Sequence, residues 1–233
     1  MRLILRFIPL LLFASVFAST QEAISLERLW KVGSEERQRV SISFSMAMGD
    51  VDVTMIATQK VLKLHENDEA DVETAVSQMK VFMNNQEVDV AGASSLPVIT
   101  QRIAKSGMPI KHLNSSGTGI GVDFIRYAFV VSESALKLGE STTIDYRSDG
   151  SLGSRVAGTL KLESIENGVA KLVCNYEVWT QNTSDKPMKM SVVNWLRISD
   201  RKFTKSEGTF SNLPAFQGLQ VPAAQFAMEL IEE

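Results

Sequence analysis

This chain lacks the means to cross-link itself: among 233 residues it holds one cysteine, Cys174. A lone thiol cannot close an internal disulfide, so stability has to come from packing. Histidine is almost as scarce. His65 and His112 are the only two, which excludes a histidine-rich metal centre. No Gly-x-Ser-x-Gly elbow, His-Glu-x-x-His pair or Cys-x-x-Cys pair occurs, so the common hydrolase, zinc-protease and thiol-redox signatures are absent. A surplus of positive charge is missing too: 24 Lys and Arg face 27 Asp and Glu, and a formal charge of −3 offers nucleic acid no footprint.

What is present begins with an export signal. Arg2 and Arg6 precede the uncharged run from Phe7 to Ala18, which ends Val16-Phe17-Ala18 with small residues where a signal peptidase reads. A basic start, an apolar run of about 7–15 residues and a small-x-small end make a secretory signal peptide. The competing reading, an uncleaved anchor, needs roughly 20 apolar residues to span a bilayer. No cysteine follows the run, so the lipid-modified N-terminus of bacterial lipoproteins is excluded. The mature chain is expected from Ser19, periplasmic or secreted, with no stable membrane span and a formal charge of −5 once Arg2 and Arg6 are gone. A disulfide-free exported protein fits a bacterial envelope better than a eukaryotic secretory route.

The stretch from Thr159 to Trp179 sets the architecture. Ala170, Leu172, Cys174, Tyr176 and Val178 alternate with Lys171, Asn175 and Glu177, the period of a half-buried strand. Leu160 and Leu162 alternate with Lys161 and Glu163 before it, and Asn167-Gly168 supplies the two positive-φ residues of a tight hairpin turn. The same alternation predicts strands over 39–48, 51–64, 87–90, 98–104, 108–113, 142–146, 188–198 and 203–210. Two segments, 72–83 and 225–231, fit either strand or helix, and both read better as strands. Residues 22–30 fit a short helical turn. Val122, Ile125, Ala128 and Phe129 fall at helical spacing, so one helix is expected between the halves.

Two weak internal matches accompany this pattern. Trp30-Lys31-Val32-Gly33-Ser34-Glu35 lies against Leu136-Lys137-Leu138-Gly139-Glu140-Ser141, and the segment from Leu62 to Val72 lies against that from Leu162 to Leu172. Similar order and spacing suggest a duplicated unit. The expected organisation is a signal peptide at 1–18, a first β unit at 19–113, a linker and short helix at 114–135, and a second β unit at 136–233. The fold class is mainly β: two related antiparallel units, as a curved sheet, half-barrel or sandwich, with one connecting helix.

Candidate chemistry is sparse. Glycines 117, 119 and 121 form Gly-x-Gly-x-Gly, not the dinucleotide fingerprint, and read as a linker. His65 beside Glu66 and Asp68 suggests either an acidic metal site or a general base, against the plainer reading of a solvated turn. Met46, Met48, Met55, Met79, Met83, Met188 and Met190 fall mostly on apolar strand faces, where thioethers either fill a core or line a pocket for a flexible apolar ligand. Trp179 and Trp195 lie opposite their strands' apolar sets. No catalytic residue, cofactor-binding residue or metal ligand is assigned, and no cofactor is expected.

At the matched stretches around Gly33 and Gly139 the chain resembles a class of uncharacterised exported bacterial proteins with a duplicated β-rich unit. That resemblance covers roughly residues 28 to 231. More loosely, the plan is similar to the curved half-barrel of the LolA-like lipoprotein-carrier family, which would imply an apolar ligand groove. The expected function is an exported, non-catalytic binding or structural module of the cell envelope, its partner an unidentified envelope component or apolar ligand. Two alternatives remain: a periplasmic carrier of a lipid or other apolar ligand, and a hydrolase using His65 or His112.

Overall fold

The computed structural model describes residues 22–46, 49–89, 98–114, 123–148, 153–180, 186–213 and 221–232. The expected export signal, the glycines at 117, 119 and 121, and Met48 lie outside them. Twelve strands make one antiparallel sheet: β1 Glu35–Met46, β2 Gly49–Leu64, β3 Ala70–Met83, β4 Gln86–Val88, β5 Ile99–Ile103, β6 Pro109–His112, β7 Ser141–Arg147, β8 Arg155–Glu166, β9 Val169–Trp179, β10 Met188–Arg197, β11 Lys202–Ser211 and β12 Ala223–Ile231. Their spatial order is β6-β5-β3-β2-β1-β12-β11-β10-β9-β8-β7, with β4 beside β3. The sheet is nearly closed into a barrel. Early and late strands meet where β1 pairs β12, and β6 and β7 are the outer edges.

Alternation decides which side is dry. On β9 Ala170, Leu172, Cys174 and Val178 are wholly buried and Tyr176 nearly so, while Asn175 between them is exposed. Phe203, Phe210, Phe226 and Met228 extend the same interior across β11 and β12. Each such side chain withdrawn from water contributes about 2 kcal/mol. Asn167 and Gly168 take φ of 51° and 76°, as a tight hairpin turn requires. Both segments that fit strand or helix, 72–83 and 225–231, are strands in β3 and β12.

The expected helix is a 3₁₀ segment of about two turns, Asp123–Phe129, rather than an α-helix. It runs inside the barrel. Ile125, Tyr127, Ala128, Val130 and Val131 are buried, while Phe124, Arg126 and Phe129 between them are half-buried, so this strap has no fully exposed face of the kind an amphipathic helix presents. Tyr176 Oη donates to the Val130 carbonyl at 2.8 Å, Asn194 Nδ2 donates to the Ala128 carbonyl at 2.8 Å, and Val131 N donates to Ser106 O at 2.8 Å. Phe124 packs edge-on against Phe210, and Phe129 tilts against Phe203.

The expected helical turn at 22–30 is a correction: that segment is not helical. Ile24 exchanges two backbone hydrogen bonds with Leu136, just before edge strand β7, and Arg28 N donates to Lys105 O, between β5 and β6. The segment therefore stretches from one sheet edge to the other. Its backbone finds partners on both sides, which removes the advantage of an internal helical turn. Arg28 is itself buried, bonded to both Glu36 oxygens at 3.1 and 3.0 Å and stacked over Trp30 and Phe203.

Candidate functional site

The barrel interior is not equally dry all round. On β1 the core-facing residues run Val40, Ile42, Phe44, Met46; the first two are buried and the last two half-buried. Register places Phe44 opposite Val51 and Val51 opposite Met83, then Ile42 opposite Val53 and Val53 opposite Val81. Along β3 the core-facing Val76, Met79, Val81 and Met83 are all half-buried, although they pack against the core. Half-exposed apolar positions thus lie on β1 and β3, while Val51, Val53 and Met55 of β2 between them are buried.

The reason is a short neighbour. Strand β5 pairs β3 only from Ala70 to Thr74, and β4 pairs it only from Val81 to Met83. Among the described residues, positions 75–80 of β3 have no strand on that side. A bulge falls within this stretch, where Gln78 takes φ of 51°. On the other half β10 pairs β9 throughout, from Met188↔Val178 to Arg197↔Val169, and the corresponding wall is fully buried. The open wall thus offers flexible thioethers and a phenyl ring beside an unpaired strand edge, a surface suited to an apolar ligand of variable shape.

The methionines divide along this line. Met55, Met188 and Met190 are buried core, whereas Met46, Met79 and Met83 sit on the open wall. The sequence could not separate them, because each falls among apolar residues of its strand, and the bulge at Gln78 that brings Met79 and Met83 to the face of Val72 and Val76 is not legible in the alternation. Phe44, Val76 and Val81 belong to the wall as well and carried no signal beyond alternation.

The two histidines bond to different side chains. His65, in the turn after β2, bonds through Nε2 to Asp71 Oδ2 at 2.8 Å, and Arg102 Nε donates to the other Asp71 oxygen at 2.9 Å. Its side-chain partner is therefore Asp71, not the Glu66 and Asp68 of its own turn. Burial alone would raise the Asp71 pKa, but the bonds from Arg102 and His65 outweigh it and hold the carboxyl below its ordinary value. His112 lies at the end of β6 beside the Gln101 amide, 3.1 Å from Nδ1. Among the described residues no three His, Cys, Asp or Glu side chains gather as metal ligands.

Cys174 is a core residue. Burial pushes its thiol up to about 11, and Asn194 Nδ2 approaches the sulfur at 3.7 Å. Trp179 and Trp195 stand on the outer face, under Arg155 and Lys205 respectively. A polar cleft of about 400 Å³ lies by the acidic turn, lined by Asn67, Asp68, Glu69, Lys105 and Glu133.

No family model matches the chain, and no curated protein matches it. Among solved structures it is similar to an inferred exported protein with a YmcC-like fold from Bacteroides fragilis. That likeness spans 90% of this chain and all of the other at 9% identity, with a TM-score of 0.32. It is also similar to an inferred outer membrane lipoprotein-sorting protein domain from Vibrio parahaemolyticus, over 85% of this chain and 84% of the other, at 12% identity and a TM-score of 0.25. Neither likeness speaks to what this chain binds.

Proposed function

We propose that the chain is an exported, non-catalytic binding module of the cell envelope that takes an apolar, chain-like ligand such as a lipid acyl chain. One observation carries this reading: Phe44, Met46, Val76, Met79, Val81 and Met83 leave a half-exposed apolar wall facing the barrel interior, beside an unpaired stretch of β3. A purely structural sheet would gain by covering that wall, since each exposed methylene forgoes about 0.8 kcal/mol. The export signal at residues 1–18 supplies the compartment, and a carrier role follows if the ligand is released as well as held.

The test is direct. Protein purified natively from its envelope fraction should yield lipid on organic extraction, and the delipidated protein should take up a fluorescent fatty-acid analogue in a saturable way. An empty native preparation together with no uptake of the analogue would refute the proposal.

A further inference from the structure

The outer face of the late strands carries a second pattern, independent of the apolar wall. Register aligns Thr143 with Thr159, Thr159 with Asn175, Asn175 with Ser191, Ser191 with Thr209, and Thr209 with Gln225. These six residues stand on six adjacent strands, β7 to β12, and all are exposed. At about 4.8 Å per strand the row is about 24 Å long. No member is charged. The row beside it holds Asp145, Glu177 and Lys189, so an uncharged row is not the general rule for this face.

Among the described residues the row's only internal side-chain bond joins Ser191 Oγ to Asn175 Oδ1 at 2.9 Å. Its remaining hydroxyls and amides offer donors and acceptors to solvent. An open groove of about 710 Å³ runs over Asn175, Ser191 and Thr209 and is bordered by Arg155, Glu177 and Trp179. Trp179 is held in place. The Arg155 guanidinium lies 4.7 Å from its ring centroid and is fixed by two 2.7 Å bonds to Asp145. The indole is thus a rigid plate, and the cation that orients it is already neutralised by its own carboxylate.

We infer that this face binds an uncharged polysaccharide strand. Mixed donors and acceptors without net charge match the hydroxyls of a glycan, and a fixed aromatic plate matches the apolar face of a sugar ring. An anionic polymer finds no uncompensated cation in the groove, because Arg155 pairs with Asp145 and Lys189 lies 3.9 Å from Glu177. A partner strand would need a sheet edge, and this is a sheet face.

Co-sedimentation of the purified protein with microcrystalline cellulose and with chitin tests the inference. Binding to at least one is expected, and it should persist at high salt because no ion pair carries it. Trp179→Ala should weaken it about tenfold, and Asn175→Lys should weaken it similarly by placing a charge in the row. Asn175 is exposed and Trp179 is half-buried on the outer face, so circular dichroism should show the parent fold. Uptake of the fatty-acid analogue should be unchanged in both variants, which separates this face from the apolar wall. Absence of sedimentation with both polymers, binding abolished by salt, or binding indifferent to both substitutions would overturn it.

Discussion

Gln101 and Asn194 are buried amides at corresponding points of the two halves of the sheet. Gln101 on β5 stands opposite Val72 of β3, and Asn194 on β10 stands opposite Leu172 of β9. Each also faces a polar residue on its other side, His112 for Gln101 and Ser206 for Asn194. Each reaches the strap, Gln101 accepting from the Arg126 guanidinium and Asn194 donating to the Ala128 carbonyl. The strap is therefore gripped from both walls by amides, and the grip supplies positional specificity where apolar contact alone would let it slide.

Replacing Asn194 by Leu strands two buried groups, the Ala128 carbonyl and the Ser206 hydroxyl that donates to Asn194 Oδ1 at 2.5 Å. At 1–3 kcal/mol for each unpaired group, a loss of about 3 kcal/mol is expected in urea unfolding. A loss below about 1 kcal/mol would show that the amide is not what holds the strap.

Gly158 has φ of 156°, and a Cβ there would lie 2.1 Å from the Asn175 carbonyl oxygen. Backbone cannot yield as a flexible side chain can. Gly158→Ala is expected to cost about 3 kcal/mol, measured by thermal melting, while Gly168→Ala, where the added carbon meets nothing within 4 Å, carries only the strain of a positive φ.

Met79→Lys and Met83→Lys alter half-exposed positions on the open wall. Stability should change by no more than about 1 kcal/mol, whereas uptake of the fluorescent fatty-acid analogue should fall at least about tenfold. Met188→Lys, at a buried position, should instead unfold the protein.

Asp71 gives a pH signature. Its folded pKa is held below the ordinary 3.8, so the associated stability is fully present above that value and is lost as pH falls through the lowered one. Asp71→Asn should therefore melt lower than the parent at neutral pH, by about 1–2 kcal/mol. The gap should close in acid, below the lowered pKa. A gap that persists there would assign the effect to packing.

Cys174 is wholly buried, and its thiol is pushed up to about 11. Iodoacetamide should leave it untouched in native protein and label it fully in denaturant, as read by mass spectrometry. Labelling at the native state would mean that the late half of the barrel opens.

The hairpin at 159–179 was legible because period-two alternation and an Asn-Gly turn act over a few residues. The matched Gly33 and Gly139 are also legible in outcome: they take φ of 80° and 81°, and each donates to the strand that its own chain returns to, Val61 and Leu162. The 22–30 stretch misled because a local amphipathic pattern was answered by distant partners, Leu136 and Lys105. His65 misled similarly, since its partner Asp71 reaches it from β3, itself held by Arg102 of β5, rather than from its own turn.

By itself the sequence determined which residues alternate, and hence that the chain makes antiparallel strands with one dry face, because side-chain direction along a strand is a property of neighbouring peptides. Only the tertiary structure decided which dry positions stay partly open and which wet positions line up. Met79 and Met188 both lie on apolar strand faces, yet Met79 stands beyond the end of the five-residue β5, with no strand on that side among the described residues, whereas Met188 pairs with Val178 of full-length β9. Thr143 and Gln225 share a row because of five successive strand registers, and register is fixed by turn lengths and bulges acting across the whole sheet.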